Sequence, residues 1–341
     1  MINPDTNGFY IQWHILDRCN LRCVHCYQEH FSRERELDWE GLKQTADNLL
    51  DTMKIWNTKL DAALTGGEPF LKPELFQLLE YLDKSEYTGD LCIISNGTIW
   101  PDYAQELTEL SKFNEIRISL DGITETTNDL IRGKNSFSKT LENISRWKKL
   151  GIPVTLMFTV MKRNLHEIRD IIAFGEKLGI DGIIIERFFP LGQGEEIEKD
   201  TLNGPEFVGV WKEVLRQIDI EIDPSELAPF RAIRINFDEE GADVLGSGCV
   251  VGKDGMALLP DGTVLPCRRF TLPIGNIIQT PLHDIWKNSK VLDAIQDKTK
   301  LEGKCGSCTI DECQGCRAMC YCLLDNYLAE DPHCFIVPPE F

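Results

Sequence analysis

Three cysteines near the start of the chain have a spacing suited to metal chemistry. Cys19, Cys23 and Cys26 form a C-x3-C-x2-C run directly behind an apolar segment at 9–16. Three thiolates can hold three irons of a four-iron cluster and leave the fourth iron open to another ligand. A purely structural or electron-transfer cluster normally has all four irons ligated. The run therefore predicts chemistry at a cluster, held by a loop at the end of a first strand.

A second group of cysteines follows residue 248. Its members are Cys249, Cys267, Cys305, Cys308, Cys313, Cys316, Cys320, Cys322 and Cys334. The two C-x2-C pairs at 305–308 and 313–316 also suit a tetrahedral zinc site, so the pairs alone leave zinc and iron–sulfur as alternatives. Cys92 lies inside a strand pattern, where we expect a small, buried, apolar side chain.

Composition excludes several classes of partner. The chain has 341 residues, 42% of them hydrophobic, and a net charge of -19 from 55 acidic and 36 basic residues. This acidic surplus argues against nucleic acid and anionic membranes as partners. It either steers a basic partner such as a peptide or only keeps the protein soluble. Thirteen cysteines without a signal-peptide pattern predict reduced thiols and a cytoplasmic location.

Alternating β-rich and helical patterns from residue 9 onward predict a parallel sheet with crossover helices. The strand candidates are 9–16, 61–65, 90–95, 115–120, 154–161 and 182–188. The helical patterns are 39–56, 73–84, 101–112, 136–150, 165–178 and 205–218. The expected fold class is α/β, a partial (βα)6 barrel of TIM type followed by a cysteine-rich C-terminal iron–sulfur domain.

The ends of the six strand candidates carry polar or glycine-rich segments. They are 17–19, 65–69, 95–98, 119–122, 162–164 and 186–187. In parallel α/β folds the active site forms at the carboxyl ends of the strands. Any one segment alone is ordinary turn chemistry, whereas their placement beside the cysteine loop predicts a common site.

A Gly-Gly-Glu-Pro segment at 66–69 lies one βα unit after the first cysteine loop. Together these two motifs resemble the radical S-adenosylmethionine (SAM) enzymes over roughly the first two thirds of the chain. The resemblance implies that the first three cysteines bind a 4Fe-4S cluster whose open iron takes the amino and carboxylate groups of SAM. Reductive cleavage would release methionine and a 5′-deoxyadenosyl radical, which abstracts hydrogen from a substrate.

The same resemblance implies which residues surround SAM. The glycines let the backbone approach the methionine ammonium, and backbone carbonyls and Glu68 accept its hydrogen bonds. Residues 95–96 would approach the ribose. The implied set is Tyr27, Gly66, Gly67, Glu68, Pro69, Ser95, Asn96, Ser119 and Asp121. Tyr27 as an ordinary aromatic and Asp121 as a turn former are the competing interpretations.

The C-terminal cysteines resemble the SPASM extension of that family, which binds auxiliary clusters. The segment 249–267 matches its opening, whereas the later C-x2-C-x4-C-x2-C run is one residue shorter in two intervals than is usual. The resemblance implies one cluster on Cys305, Cys308, Cys313 and Cys334 and another on Cys249, Cys267 and Cys316, completed by Cys320 or Cys322.

Regular alternation fades between residues 223 and 248. We therefore expect a radical SAM partial-barrel domain at 1–222, a linker at 223–248 and a SPASM-like domain at 249–341. No apolar run reaches the roughly 18 residues that a membrane span requires.

SPASM enzymes mostly modify peptides, so the leading expectation is a maturase that crosslinks, epimerises or oxidises a ribosomally made peptide. A one-electron donor such as flavodoxin or ferredoxin would serve it. The first strand starts near residue 9, which leaves no room for an N-terminal leader-recognition module. A separate leader-peptide-binding protein, or none, is then expected.

Two alternatives remain. Segments 186–192 and 305–334 are also similar to tetrapyrrole enzymes that remove side-chain carboxylates from heme precursors. The carboxylates of such a substrate would be bound by arginine guanidinium groups, unless these arginines are already paired with acidic residues on the surface. The candidates are Arg187, Arg231, Arg234, Arg268 and Arg269. A non-catalytic iron–sulfur carrier is the third class. Such a carrier would need no cofactor-binding turn, so the segment 66–69 argues against it.

The sequence offers four candidate general bases and does not decide between them. They are His14, Asp17, Asp121 and Glu186.

Overall fold

The computed structural model describes residues 8–310 and 312–336. The outer ends of the two expected domains, residues 1–7 and 337–341, lie outside the described residues, as does residue 311. Six parallel strands form the first part of the sheet. They are β1 Phe9–His14, β2 Leu60–Thr65, β3 Thr88–Ser95, β4 Phe113–Ser119, β5 Val154–Val160 and β6 Gly182–Arg187. All six expected strands are present, and they neighbour each other in chain order.

The strand alternation separates a helix-facing side from a polar inner side. Phe9, Ile11 and Trp13 of β1 are buried, and the Phe9 ring lies 5.1 Å from that of Trp56 in a flanking helix. Gln12 points the other way and lines a cavity. Since side chains alternate along a strand, one face packs on helices while the other is free to carry polar groups.

In the part of the chain that the structure describes, ten helices accompany the strands. They are α1 Trp39–Trp56, α2 Leu75–Asp83, α3 Glu125–Arg132, α4 Ser136–Lys149, α5 Ile171–Leu178, α6 Gly204–Arg216, α7 Leu282–Asn288, α8 Lys290–Gln296, α9 Gly303–Ser307 and α10 Arg317–Leu324. Local signals set several ends. The side chain of Asp38 caps α1, and Asn57 closes it in the left-handed conformation, a common helix ending.

One expected helix is largely absent, and one helix of the structure was not expected. Residues 101–112 form turns and one short 3-10 helix, Glu106–Glu109, because only Ala104 and Leu107 of this segment offer buried aliphatic side chains to hold a longer helix. Helix α3 was not predicted, because six of its eight residues are polar. Thr124 caps its start by accepting a hydrogen bond from the Thr127 amide.

The segment 223–248, expected to be a linker, contains regular structure. Strands β7 Ala232–Asp238 and β8 Gly241–Ser247 form an antiparallel hairpin, and β7 pairs with β6. Three of the seven residues of β8 are exposed at the edge and none of the seven is buried. The strand therefore has no buried apolar face, and for this reason the sequence pattern faded there.

The C-terminal region extends the same sheet at its other edge. Strand β9 Gly255–Leu258 pairs in parallel with β1, and β10 Thr263–Leu265 and β11 Gly275–Asn276 follow it. The cysteine-rich region is thus built directly onto the strand that leads into the first cysteine loop. Among the described residues, no helix has the length and apolar character needed to cross a bilayer.

Candidate functional site

The first cysteine loop starts where β1 ends. Cys19, Cys23 and Cys26 carry free thiols, and all three line one cavity of about 140 Å³. Burial raises the pKa of Cys23 to about 12 and also raises the pKa of the Cys19 thiol. Thiolates in such a place require compensating positive charge, which metal coordination supplies. Three half-buried thiols that line one cavity therefore fit a metal cluster.

The glycine turn packs directly onto this loop. Strands β1 and β2 end in register, with His14 opposite Thr65, so the segments that follow them run side by side. The Gly67 amide donates to the carbonyl of Leu16 at 3.0 Å. A Cβ added to Gly67 would lie 2.1 Å from the Arg18 carbonyl oxygen. Only a residue without a side chain permits this approach, which leaves backbone polar groups at the cavity wall.

Glu68 does not line the cavity of the three cysteines but lies behind the residues that do. Its buried carboxylate accepts hydrogen bonds from the Ser95 hydroxyl at 2.9 Å and from the Asn96 amide at 2.8 Å. Burial raises the pKa of Glu68 to about 7. The resemblance implied that this carboxylate accepts hydrogen bonds from the methionine ammonium, whereas its oxygens accept hydrogen bonds from Ser95, Asn96 and Phe70. Its role in the structure is to hold the end of β3.

The structure brings six of the nine residues implied for SAM binding to the cavity of the three cysteines. These are Tyr27, Gly66, Gly67, Ser95, Asn96 and Ser119. The side-chain Nδ2 of Asn96 donates to Asn20 Oδ1 at 2.8 Å and lies 3.8 Å from the Cys19 sulfur. Glu68, Pro69 and Asp121 are the three that do not line it. Pro69 instead begins a 3-10 helix after the turn.

Asp121 is enclosed by other side chains. Its carboxylate lies 2.6 Å from Arg132 Nε and 3.2 Å from His25 Nε2, and it accepts the Thr159 amide at 2.7 Å. Burial lowers the pKa of His25 to about 4, so this ring is neutral at pH 7. Asp121 thus fixes Arg132 beside the cavity, and Arg132 lowers the cost of a thiolate at Cys23.

Sequence reasoning missed several wall residues. Arg132 comes from α3, the helix that was not predicted, and Gln12, Met157 and Thr159 also line the cavity. Met157 and Thr159 stand two residues apart on β5, as inward-facing side chains of a strand must. Applying that period to the predicted strand would have found them.

Of the four candidate bases, Glu186 is the one that lines the cysteine cavity. Arg269 pairs with its carboxylate. Asp17 is instead engaged by Arg35 at 2.8 Å, and His14 is buried, where burial holds the pKa of its ring well below the usual value. Glu186 is therefore the candidate best placed to meet a ligand.

The later cysteines line two further cavities. Cys305, Cys308, Cys313 and Cys334 surround one of about 310 Å³. Cys249, Cys267 and Cys316 line another of about 320 Å³. These are the two sets implied by the resemblance. Among the residues that the structure describes, no group of three or more His, Cys, Asp or Glu side chains is arranged to hold a single metal ion. The spread of each set around a cavity suits a polynuclear group.

The remaining three cysteines line none of these cavities. Cys92 is buried in β3, as expected. Cys320 is fully buried in α10, one turn after Cys316. Cys322 lies 3.7 Å from the Pro190 carbonyl oxygen, and burial raises the pKa of its thiol to about 12.

Comparison with known families agrees with both parts of the molecule. The model of the radical SAM superfamily matches residues 13–175. The model of an iron–sulfur cluster-binding domain, SPASM, matches residues 249–309. The first match contains the cysteine loop and the glycine turn, and the second begins at Cys249, so the zinc alternative for the C-terminal region is set aside.

Relatives and solved structures match most of this chain. The AdoMet-dependent heme synthase of Methanosarcina barkeri is 29% identical over 96% of this chain and 96% of that protein. The antilisterial bacteriocin subtilosin biosynthesis protein AlbA of Bacillus subtilis is 28% identical over 85% of this chain and 65% of that protein. The crystal structure of Streptococcus suis SuiB bound to S-adenosylmethionine has the same fold, with a TM-score of 0.72 at 16% identity, covering 96% of this chain and 77% of SuiB.

The converging cysteines, the glycine turn and the two family matches lead to one conclusion. When bound, SAM and the first cluster supply a radical that abstracts hydrogen. The chain belongs to the radical SAM superfamily, as an enzyme that uses SAM and a 4Fe-4S cluster and carries auxiliary iron–sulfur clusters in a C-terminal SPASM domain.

Proposed function

We propose that this enzyme acts on a tetrapyrrole that carries several carboxylates and removes a side-chain carboxylate as CO2. The observation that carries the proposal is the cavity of about 320 Å³ that adjoins the cysteine-loop cavity. Cys249, Cys267 and Cys316 in its wall would hold an auxiliary cluster, and the substrate would occupy the space that opens toward the cysteine-loop cavity. Six arginines and one acid line the cavity of about 320 Å³, namely Arg117, Arg187, Arg231, Arg234, Arg269, Arg317 and Glu186. In a chain with a net charge of -19, this concentration of guanidinium groups favours a polyanionic ligand.

This arginine cavity lies beside the cysteine-loop cavity. The two share wall residues Gln12, Ile94, Met157, Glu186, Arg187, Phe189 and Arg269. A ligand seated among the arginines therefore reaches the space next to the three cysteines. This adjacency is what hydrogen abstraction requires, because the reacting atoms must be held within contact distance.

Two of the arginines are the best candidates to bind carboxylates. Arg269 is paired with Glu186, and Arg117 with Glu115 at 2.8 Å. Arg187 is buried, and its Nε has no hydrogen-bond partner among the described residues. Arg234 donates through Nε to the neutral Asn236 at 2.9 Å. Arg187 and Arg234 thus carry charge that no carboxylate of the described chain neutralises at close range.

The chemistry balances as follows. Abstraction of one hydrogen atom from a side-chain CH2, followed by loss of CO2 from the neighbouring carbon, forms a carbon–carbon double bond and leaves one electron. A one-electron acceptor of the iron–sulfur or flavin class must take it. A donor such as flavodoxin or ferredoxin supplies the electron for SAM cleavage. The name of the M. barkeri relative, a heme synthase, supports a substrate of this class.

Peptide modification is the second candidate. It is favoured by the AlbA relative, which is named for bacteriocin biosynthesis. The arginine cavity would then accept the acidic side chains of a peptide. A tetrapyrrole ranks first for two reasons. Its carboxylates are held on one rigid ring system, which suits a group of arginines around one cavity. The match to the heme synthase also spans more of both chains than the match to AlbA.

Turnover distinguishes the candidates. Reconstituted protein is incubated without oxygen with SAM, dithionite and iron coproporphyrin III, and products are followed by mass spectrometry together with 5′-deoxyadenosine. We expect loss of CO2 from the porphyrin and 5′-deoxyadenosine above the level of a Cys19→Ala, Cys23→Ala, Cys26→Ala control. The tetramethyl ester of the same porphyrin should be inert. Unchanged porphyrin, with turnover on an acidic peptide instead, would overturn the tetrapyrrole assignment.

A further inference from the structure

Two arginines point at sulfurs of one auxiliary cysteine set. Arg231 Nη2 lies 3.3 Å from Cys313 Sγ. Arg317 Nη2 lies 3.3 Å from Cys305 Sγ. Both distances are within hydrogen-bonding range for sulfur, and both sulfurs line the cavity of about 310 Å³. Each guanidinium therefore donates directly to a cysteine of the same set.

Backbone carbonyls hold Arg317 in this orientation. Its Nη1 donates to the Tyr327 carbonyl at 3.1 Å and to the Ala329 carbonyl at 2.9 Å, and the residue is 2% exposed. Gly315 has a φ of 66°, and a Cβ at that position would lie 2.3 Å from Arg317 Nη2. The glycine keeps open the space that the guanidinium occupies.

Arg231 is fixed in the same manner. Its Nη1 donates to the Ala228 carbonyl at 2.7 Å and to the Phe230 carbonyl at 3.0 Å. Among the described residues, the hydrogen bonds of this guanidinium thus go to carbonyls and to a sulfur. The positive charge remains directed at Cys313 instead of being paired with a carboxylate in direct contact.

Backbone amides complete the arrangement on the same two sulfurs. The Asp331 amide donates to Cys305 Sγ at 3.4 Å, and the Gly315 amide to Cys313 Sγ at 3.5 Å. The Asp331 carboxylate is engaged elsewhere, accepting the Cys316 amide at 2.7 Å. Two of the four cysteines in the set therefore receive one charged and one neutral donor each.

We propose that Arg231 and Arg317 are positioning residues that raise the reduction potential of the auxiliary cluster held by Cys305, Cys308 and their partners. Reduction adds negative charge to a cluster, and donors to its sulfurs stabilise that charge. Positive donors in a buried site stabilise it more than neutral ones. The pair makes this centre a better electron acceptor. The claim does not depend on the substrate.

The test is a redox titration followed by electron paramagnetic resonance on the full-length protein. The Cys19→Ala, Cys23→Ala, Cys26→Ala background removes the signal of the first cluster. Arg231→Gln and Arg317→Gln are compared with Arg234→Gln, which changes an arginine that does not line the cavity of about 310 Å³ and that donates to Asn236 instead of a cysteine sulfur. At the potential where the parent centre is half reduced, each Gln variant should show a ratio of reduced to oxidised cluster about tenfold lower. The control should leave this centre unchanged.

Iron and sulfide content decide how each result is interpreted. A variant with full iron content and an unchanged midpoint overturns the proposal. If a Gln variant loses iron, Arg231→Lys and Arg317→Lys replace it, because lysine keeps the charge but not the planar fork. A smaller shift in the same direction supports the proposal, and an unchanged midpoint in both Lys variants overturns it.

Discussion

Of the two glycines in the 66–69 turn, Gly67 leaves the least room for a side chain, because the Arg18 carbonyl lies against it. Gly67→Ala places a Cβ 2.1 Å from that oxygen, so the cysteine loop must move. We expect SAM affinity to fall by about tenfold or more, since overpacking costs roughly 1–3 kcal/mol. Calorimetric titration with SAM measures the affinity, and iron analysis measures the cluster content of each variant. Gly209→Ala is the matched control because an added Cβ there meets nothing within 4 Å. Equal SAM affinity in both variants would contradict this packing argument.

Glu68 makes folding stability depend on pH. Burial raises its pKa to about 7, above the value of about 4.3 for an unfolded chain. Its contribution to stability is therefore full below the unfolded pKa and is lost as pH rises through the folded one. Between pH 5.5 and 8 the free energy of unfolding of the wild type should fall relative to Glu68→Gln by about 2 kcal/mol. Denaturant titrations at both pH values measure this difference, and a constant difference would contradict the buried, protonatable carboxyl.

Single site residues could be predicted from the sequence where their function depends directly on the residue type. The cysteine loop and the turn at 66–67 could be predicted because thiols and absent side chains have few other uses at such spacings. Glu68 and Asp121 were directed at SAM, whereas the structure buries both within the protein. Their partners Ser95 and Arg132 lie far from them in sequence, and only the folded chain brings these pairs together.

The start of helix α6 packs against the segment that carries Cys334, the last auxiliary cysteine. Its cap, Asn203, exchanges hydrogen bonds with Glu206, and a Cβ on Gly204 would lie 2.3 Å from the His333 carbonyl oxygen. Asn203→Ala should lower the free energy of unfolding by about 1 kcal/mol, measured by denaturant titration. Asn135→Gly, at a cap whose side chain makes no capping bond, should change it little. An Asn203→Ala variant as stable as the wild type would argue against the cap.

Elements with strong periodicity could be predicted, and edge elements could not. All six parallel strands follow from apolar runs that are buried on the sheet. The hairpin β7–β8 was missed because its outer strand carries alternate exposed positions and two glycines. Its pairing is decided by the free edge of β6, which is a property of the whole sheet.

The six parallel strands and the cysteine-rich C-terminal region share one sheet. Because β9 pairs with β1, removing residues 249–341 exposes the edge of the strand that precedes the first cysteine loop. We expect the truncated chain to aggregate and to hold less iron at that loop, measured by size-exclusion chromatography and iron analysis. The full-length Cys305→Ala, Cys308→Ala protein keeps β9 and should keep the first cluster. A monomeric truncated chain with a full first cluster would contradict this dependence.

The distribution of charge over the molecule underlies the proposed substrate class. An acidic protein encloses an arginine cavity that adjoins the cysteine loop. The arginines of that cavity come from β4, β6, β7 and the C-terminal region, so no local sequence pattern groups them. The five arginines named from the sequence included Arg187 and Arg234, but Arg117 and Arg317 became visible only in the fold.

Equilibrium binding of iron coproporphyrin III, followed by its absorbance, tests the central claim most directly. The claim predicts saturable binding by the wild type, about tenfold or more weaker binding by Arg187→Gln and by Arg234→Gln, and wild-type binding by Arg216→Gln, whose guanidinium pairs with Glu213 on the outer surface. Equal affinity of all four proteins for the porphyrin, or equal affinity of the wild type for its uncharged tetramethyl ester, would contradict the claim.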